Sequence, residues 1–234
     1  MPPPSDAVRY RITRRALTLL TASRHPATIL AMKPLARQST TPRPPRTQRG
    51  AETRERILAA AEREIGAKGF AVASVASMTR SARVAQGTFY IYFRSKEEVM
   101  HELVLRMGQR VRRHLNAATR GARRRLDAER IGLRAYLEFV QDHPNLYRIV
   151  EEAQFAVPAA HRQYYLEFAR AYSAGLRAAE DSRQIRRGDA QVRAWALMGM
   201  ATMLGKRYCI WSRHSRLQHI AKSAADLVEF GLRR

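Results

Sequence analysis

VAQGTFYIYFRSKEE, residues 84–98, is the stretch that decides the fold. At about 100° per residue, Phe89 and Phe93 fall on one side of a short helix, and Gly87 and Ile91 fall on the other. Glycine weakens a helix, so Gly87 fits a place where another backbone must approach closely, as a DNA major groove requires. The pattern is typical of the recognition helix of a helix-turn-helix, which is anchored by one face and offers the other to DNA.

The same residues carry a resemblance to the TetR family of bacterial repressors, whose DNA-binding domain ends in a pattern like V-S-x-G-T-F-Y-x-Y-F-x-S-K-E-E. The matching positions are Val84, Gly87, Thr88, Phe89, Tyr90, Tyr92, Phe93, Ser95, Lys96, Glu97 and Glu98. The resemblance continues backwards through residues 73–82, the place of the first helix of the motif, and residues 54–70, a supporting helix. It implies a DNA-binding transcriptional regulator, a repressor that binds a palindromic operator as a homodimer and is released by a small, mostly apolar effector.

The resemblance also implies which residues form the DNA face. They are Gln86, Gly87, Thr88, Tyr90, Ile91, Tyr92 and Lys96. Tyr92 and Lys96 are expected to contact phosphates, with the other tyrosine and the threonine in support. Gln86, Gly87 and Ile91 are expected to lie against base edges, where a glutamine can bond adenine twice and an isoleucine can meet a thymine methyl.

Two residues depart from the family pattern. Arg83 occupies the tight turn before the recognition helix, where the family usually has glycine, and a left-handed backbone there would cost roughly 1 kcal/mol. Ala85 stands where the family usually has a capping serine, and the missing cap is worth about 1 kcal/mol. We expect the turn to be kept, at some cost in affinity or stability.

Local patterns predict the helices of this domain without the family. Apolar residues recur at helical spacing from Thr53 onward, and Lys68-Gly69 supplies a basic last turn and a glycine stop. Ser74 can cap a second short helix, and Ser95 with Glu98 three residues later forms a capping box that opens a long fourth helix. The expected core of the domain contains Phe70, Phe89 and Phe93.

Helical periodicity continues to the end of the chain without strand-like alternation, so the expected fold class is all-α. An N-terminal three-helix helix-turn-helix DNA-binding domain is expected over residues 51–98, followed by a helical ligand-binding and dimerisation domain over residues 99–234. His143-Pro144 suits the start of one helix in the second domain, and Gly188-Asp189 suits a stop followed by a cap.

Residues 1–50 differ in composition from the rest of the chain. They hold ten Arg or Lys against the single acid Asp6, and eight of the ten prolines, without a sustained apolar period. This composition predicts a disordered, basic, Pro-rich tail. A phosphate-binding arm and an organelle transit peptide are alternatives, but an inert arm or a mis-assigned start, with Met32 as an internal start, is favoured.

Two further sites are expected in the helical domain. The candidates for an apolar effector pocket, each of which is alone more typical of plain core, are Phe139, Tyr147, Phe155, Tyr165, Phe168 and Tyr172. The expected effector is an acyl-CoA or an aromatic metabolite. A helix-turn-helix binds two half-sites only with a second copy of itself. The small residues and narrow apolar seam of the last two helices therefore predict a dimer interface. Its expected residues are Trp195, Gly199, Met203, Leu217, Ile220, Ala224 and Leu227.

Composition and motifs argue against other classes of protein. The net charge of +23 favours a polyanionic partner. The histidines lack metal-ligand spacing, and no phosphate loop or nucleophile elbow is present, so no enzyme, metal or cofactor is expected. The acids Glu151-Glu152 and Glu180-Asp181 are expected to be solvated. The apolar run at residues 194–205 is shorter than the roughly 20 residues of a membrane span, and the lone Cys209 fits a reducing cytosol. A cytoplasmic, nucleoid-associated bacterial protein is therefore expected.

Two functions from other classes stay open at this point. One is a basic protein that coats DNA without sequence preference, and the other is a helical small-molecule carrier that has lost DNA binding. Arg83 and Ala85 are the only hints of the second. The first is distinguished from a regulator by comparing affinity for one operator with affinity for bulk DNA.

Overall fold

The computed structural model describes residues 47–212 and 216–232. Over those residues the chain consists of nine α-helices and one π-helical segment, with no β-strand. In order they are α1 (Gln48–Lys68), α2 (Val75–Ala82), α3 (Gln86–Tyr92), α4 (Lys96–Thr119), α5 (Arg125–Asp142), α6 (Pro144–Ala156), α7 (Pro158–Asp181), α8 (Ala190–Gly205), the π-helical segment (Lys206–Trp211) and α9 (Leu217–Leu232). The expected all-α fold class is confirmed.

Helix α1 begins earlier than its sequence predicts. Thr47 caps it, because the Thr47 Oγ1 accepts a hydrogen bond from the backbone N–H of Gly50 at 3.1 Å. Residues 48–50, which the predicted tail includes, therefore lie in the helix. The apolar period does not reveal this turn because its residues are polar or small and lie largely at the surface. The rest of the predicted tail falls outside the described residues.

Helices α1, α2 and α3 pack around one small core that the start of α4 completes. Ile57 and Ile65 from α1, Met78 from α2 and Phe89 from α3 have no exposed surface, and Phe93 is 1% exposed. Phe70, which was expected beside them, is half-buried and packs against the same cluster. The core confirms that the two phenylalanines of the recognition segment are its anchors.

Serine caps fix where two of these helices start. The Ser74 hydroxyl accepts from the Ser77 N–H and the Ser77 hydroxyl accepts from the Ser74 N–H, both at 3.1 Å. Ser95 caps α4 by accepting from the Glu98 N–H at 3.3 Å. The Glu98 carboxylate reaches back one residue further than in a capping box, to the N–H of Arg94 at 2.6 Å. Both predicted serine caps are confirmed. The one difference is that the Glu98 carboxylate accepts from the N–H of Arg94 and not from that of Ser95.

The remaining helices form a bundle above this domain. In this bundle, helix α4 packs against α5, α6 and α7. Helix α5 also packs against α9, and α7 packs against α8. Leu137, Ile149 and Leu176 are its fully buried large side chains from α5, α6 and α7. Leu146 and Val150 share the buried face of α6, as its sequence pattern predicts.

Helix α6 crosses α1 at very short distance. A Cβ placed on Gly66 would lie 2.4 Å from the Cβ of Asn145 and 3.0 Å from the Asn145 Cα. Such distances are below van der Waals contact, so only glycine fits at residue 66 with the helices in this position. The crossing holds the bundle against the helix-turn-helix.

The π-helical segment buries the single cysteine of the chain. The Cys209 thiol donates to the carbonyl oxygen of Leu137 at 3.3 Å, and burial raises its pKa to about 11. At neutral pH this group is a thiol rather than a reactive thiolate. None of the helices described is both long and apolar enough to cross a membrane.

Candidate nucleic-acid interface

Helix α3 presents opposite faces to the core and to solvent. Phe89 is fully buried and its ring centroid lies 5.7 Å from that of Phe93, whereas Tyr90 is 54% and Ile91 69% exposed. Gly87 is exposed as well, and a Cβ added there would meet no atom within 4 Å. The outer face of the helix is therefore flat at its first turn and free for a partner to approach.

The turn before α3 has a left-handed backbone at a residue that is not glycine. Arg83 adopts the left-handed conformation, with φ 55° and ψ 49°, which glycine adopts more easily. Ala85 is the N-cap residue of α3 and offers no side-chain hydrogen bond to the first turn. The turn is kept with both departures from the family pattern in place.

Lys96 lies at the start of α4, but its ammonium group points into the protein. The Lys96 Nζ donates to the carbonyl oxygens of Phe70 at 2.9 Å and Ala73 at 3.2 Å, and it lies 4.4 Å from the centre of the Phe70 ring. These contacts tie α4 to the turn between α1 and α2. A phosphate contact by Lys96 stays a prediction and would have to share the ammonium group with these carbonyls.

The same turn is held from its other side by α6. The Glu152 carboxylate accepts from the backbone N–H of Phe70 at 2.5 Å, and Arg148 donates to the carbonyl of Ala67 at 3.0 Å. Arg148 and Glu152 also pair with each other at 2.7 Å. We call these two residues the α6 clamp. The clamp and the Gly66 crossing both connect α6 directly to the helix-turn-helix.

Ion pairs join α1 to α4 along their length. Arg54 pairs with Glu102, and Arg106 pairs with both Glu102 at 2.8 Å and Glu55 at 2.6 Å. Hydrogen bonds from Arg106 are the main reason why the pKa of Glu55 lies below its usual value of 4.5. Since these groups are partly exposed, each pair contributes little alone, and the set chiefly fixes the angle between the helices.

The bundle contains a cavity of about 240 Å³ between α4, α5, α7, α8 and α9. Tyr165, Phe168 and Tyr172, three of the expected pocket residues, lie in its wall. Tyr165 and Tyr136 hydrogen-bond Thr202 of α8, and burial raises the pKa of both phenols. The cavity is mostly apolar, with a few convergent polar groups, as ligand sites generally are.

The other three expected pocket residues lie elsewhere. Phe139 is buried in the core, 5.3 Å from the His114 ring and 4.4 Å from the His143 ring. Tyr147 lies on α6 and donates its hydroxyl hydrogen to the Thr202 carbonyl at 3.3 Å, while Phe155 is 83% exposed. These three residues do not line this cavity, because a helical stripe of aromatics does not tell which neighbouring element it faces; their part in an effector site stays a prediction.

The expected dimer residues divide into an exposed and a buried group. Trp195, Gly199, Met203 and Leu227 are exposed on α8 and α9, and Ile220 and Ala224 are half-buried against the core. Leu217 is 6% exposed and packs inside its own chain, so it offers little surface to a second copy. Val192 and Phe230, which were not among the expected residues, extend the exposed apolar group at 63% and 78% exposure.

Several charged residues have partners in the structure that the sequence analysis did not predict. Glu151 pairs with Lys206 at 2.6 Å, Glu152 bonds Phe70, and Glu180 pairs with Arg193 at 2.7 Å. Glu151 and Glu152 stay partly exposed, whereas the side chain of Glu180 is only 10% exposed. Arg112 lines the cavity and was not singled out. An arginine on an amphipathic helix usually marks the solvated face, so the position of Arg112 in the cavity wall could not be predicted. The pair of Arg148 and Glu152 could have been predicted, because the two residues are four positions apart on one helix.

Comparison with known proteins identifies the domain that carries this face. Residues 57–103 match the family described as bacterial regulatory proteins, tetR family. Residues 57–103 thus form a tetR-family segment. This segment contains α2, α3, the turn at Arg83 and the start of α4.

Individual relatives agree with this match. The HTH-type transcriptional regulator YdgC of Bacillus subtilis is 40% identical over 65 residues, which are 28% of this chain and 33% of that protein. The structure of the fatty acid degradation regulator FadR from Bacillus halodurans has a TM-score of 0.68 at 18% identity, covering 75% of this chain and 94% of that one. FadR from Bacillus subtilis, solved in complex with stearoyl-CoA, has a TM-score of 0.66 at 17% identity, covering 74% and 96%. At such identities the two structures support the fold of the chain and nothing further.

Within residues 47–212 and 216–232, no three or more His, Cys, Asp or Glu side chains are grouped so that they could hold a metal ion. In the charged clusters that do occur, each acid is paired with an arginine or a lysine, as in the set of Arg54, Arg106, Glu55 and Glu102. The arrangement offers surfaces and a cavity for binding.

Proposed function

We propose that the chain is a homodimeric, ligand-responsive transcriptional regulator, a cytoplasmic repressor without a catalytic step that leaves a palindromic operator when a small effector binds. The observation that carries the proposal is the outer face of α3. Five expected DNA residues, Gln86, Gly87, Thr88, Tyr90 and Ile91, follow one another around an anchor that is fully buried.

Chemistry supports the assignment of roles on this face. Gln86 is exposed in the first turn of α3 and carries the donor and acceptor pair that adenine matches in the major groove. Ile91 is exposed one turn further along and can meet a thymine methyl group. Tyr92 is half-buried beside them and can reach a phosphate with its hydroxyl, which would fix the position of the helix without reading sequence.

A second copy of the chain is the partner that the exposed face of α8 and α9 fits best. Trp195, Met203, Leu227 and Phe230 expose apolar surface there, and Gly199 leaves room for a helix to approach. Two copies joined through these helices would form a four-helix contact and place two recognition helices about one turn of DNA apart. Both features are what a palindromic operator requires.

The cavity is the proposed effector site. Its position between α4 and α7 means that filling it would act on α4, which carries the ion pairs to α1 and the lysine contact to the turn. That FadR from Bacillus subtilis was solved in complex with stearoyl-CoA supports the proposal that a small molecule acts on a regulator of this fold. In this proposal effector binding shifts α4 and α6 and thereby the spacing of the two heads.

The function is tested by selecting genomic fragments with the purified full chain and measuring affinity for the selected operator against bulk DNA at physiological salt. A regulator should prefer its operator by roughly 10³-fold or more. Equal affinity for both would instead identify a DNA-coating protein, and no affinity would identify a carrier.

The roles of individual residues are tested on single-base variants of that operator. Gln86→Ala should change preference at one base pair of each half-site, by about 1 to 3 kcal/mol. Tyr92→Phe removes only the hydroxyl and should weaken binding to all variants alike. A uniform loss from both substitutions would contradict the assignment of Gln86 to a base.

The dimer is tested by placing a charge on its proposed face. Leu227→Glu should dissociate the dimer in sedimentation experiments, because closing the contact would bury a carboxylate from each copy. Leu227 suits this test better than the half-buried Ala224, since a change there would also disturb the core of one protomer. Phe155→Glu is the matched control, exposed on α6 and outside the face, and an unchanged dimer in both variants would place the interface elsewhere.

A further inference from the structure

Two arginines of the described part of the chain have a left-handed backbone, Arg83 with φ 55° and Arg183 with φ 56°. Each closes a helix with the same hydrogen bonds. The arginine N–H donates to the carbonyl three positions back, and the next N–H donates to the carbonyl five positions before it, at 2.9 to 3.1 Å. Glycine is the usual residue at such a helix end, because any other side chain is strained there. The backbone therefore gives neither turn a reason to carry arginine.

The charge pattern around Arg83 does give a reason. Residues 65–96 contain no Asp or Glu. Of the five Lys and Arg residues in this stretch, Lys68 pairs with Glu64 at 2.8 Å, and Lys96 bonds backbone carbonyls. The remaining three, which form no ion pair with a residue that the structure describes, are Arg80, Arg83 and Arg94. The sequence thus keeps positive charge without a counter-charge on both sides of α3, where a polyanion is the proposed partner.

The position of Arg83 relates this charge to the recognition helix. Arg83 lies in the turn that leads into α3, and it is exposed, as are Ala85 and Gln86 behind it. Phosphates line both edges of a major groove, so a cation next to a helix that enters the groove meets the DNA backbone rather than the bases. The short side chain of Ala85 leaves such an approach open.

We propose that the Arg83 side chain binds a phosphate of the DNA backbone in each half-site, and that the strained turn is retained for this contact. This inference rests on the proposed function, because it adds a residue to the same DNA face. Strained backbone in native proteins is concentrated at sites of function, where another interaction offsets its cost. Arg83 thereby supports DNA binding, whereas its departure from the family pattern alone favours a carrier that has lost it.

Replacement of each left-handed arginine by glycine separates the strain from the phosphate contact. Arg183 is the matched control, since it is exposed in the connection between α7 and α8, outside the helix-turn-helix. Arg83→Gly and Arg183→Gly each relax one residue and remove one positive charge, so both should raise the Tm by roughly 1 to 3 °C. Only Arg83→Gly should weaken DNA binding, by roughly tenfold or more at physiological salt.

Fluorescence anisotropy measures this binding, with the full chain, a labelled duplex of random sequence and the selected operator, over a series of salt concentrations. Arg83→Gly should weaken binding to both duplexes alike and reduce the slope of log affinity against log salt by about one for each half-site bound. Arg83→Gln, which keeps a side chain on the left-handed backbone, should lose as much affinity as Arg83→Gly. Arg83→Lys keeps the charge and should bind within about threefold of the unaltered chain.

The possible failures are distinct. Affinity and salt slope of Arg83→Gly equal to those of Arg183→Gly overturn the inference and leave the proposed regulator standing. Undiminished binding by Arg83→Gln overturns it as well, because the loss in Arg83→Gly would then come from the backbone. A loss confined to particular operator variants would assign Arg83 to a base and overturn the phosphate contact. Failure of the unaltered chain to bind any duplex contradicts the proposed function itself, and this is seen before a variant is compared.

Discussion

A single methyl group at the crossing of α1 and α6 tests whether the helix-turn-helix is held against the bundle at Gly66. In Gly66→Ala the new Cβ would lie 2.4 Å from the Cβ of Asn145, 2.7 Å from its Cγ and 3.0 Å from its Cα. The last atom belongs to the backbone, so rotation of the asparagine side chain cannot remove the overlap. The two helices must move apart.

The expected loss follows from two opposing contributions. Overpacking of this kind costs typically about 1 to 3 kcal/mol, and contact with backbone favours the upper end. Alanine in a helix regains up to about 1 kcal/mol over glycine. The net loss is therefore about 2 kcal/mol, which lowers the Tm of a chain of this size by roughly 4 to 8 °C.

Thermal unfolding followed by circular dichroism measures this shift. Gly132→Ala is the control, because it lies inside α5 and its Cβ would make an ordinary contact of 3.5 Å with Thr119. The control should melt at the same or a higher temperature. An unchanged or raised Tm for Gly66→Ala would refute the conclusion that the crossing depends on glycine.

Three further outcomes follow from contacts of the helix-turn-helix and its supports. Ala85→Ser should add the missing cap of α3 and raise the free energy of unfolding by about 1 kcal/mol in urea titration; no gain would mean that the serine does not reach the first turn. Glu152→Leu should cost about 1 to 3 kcal/mol because the Phe70 N–H loses its acceptor, whereas Glu138→Leu, which breaks an exposed pair within α5, should change stability by less than about 1 kcal/mol. Because the folded-state pKa of Glu55 is depressed, its stabilising contribution is present above its usual pKa of 4.5 and is lost as the pH falls through the folded value. Glu55→Gln should therefore flatten the fall of Tm on acidification, and an identical pH profile would contradict that pairing.

The helix-turn-helix could be predicted in detail because local chemistry determines it. Ser74 and Ser95 act as caps through bonds to residues three positions away, and Phe89 and Phe93 meet in the core because their spacing puts them on one face. The left-handed turn at Arg83 also follows from its place between two short helices. Such features need no knowledge of distant parts of the chain.

The bundle was less predictable because its sites depend on which helices become neighbours. Phe139 and Tyr165 lie on similar aromatic stripes, yet one packs between two histidines and the other lines the cavity. Leu217 belongs to an apolar seam, but α5 covers it within the same chain. Periodicity gives the buried face of a helix and leaves its partner undetermined.

The α6 clamp bonds only backbone atoms of the turn that it holds. Arg148 and Glu152 contact a carbonyl and an N–H that are present whatever side chains follow Gly66. Exchange of this head for that of a related regulator should thus preserve the clamp, provided that the incoming helix ends in the same turn and carries glycine at the crossing. Hybrid regulators that join this bundle to a new operator specificity would then have to match glycine at the crossing and the charges of α1 that pair with Glu102 and Arg106.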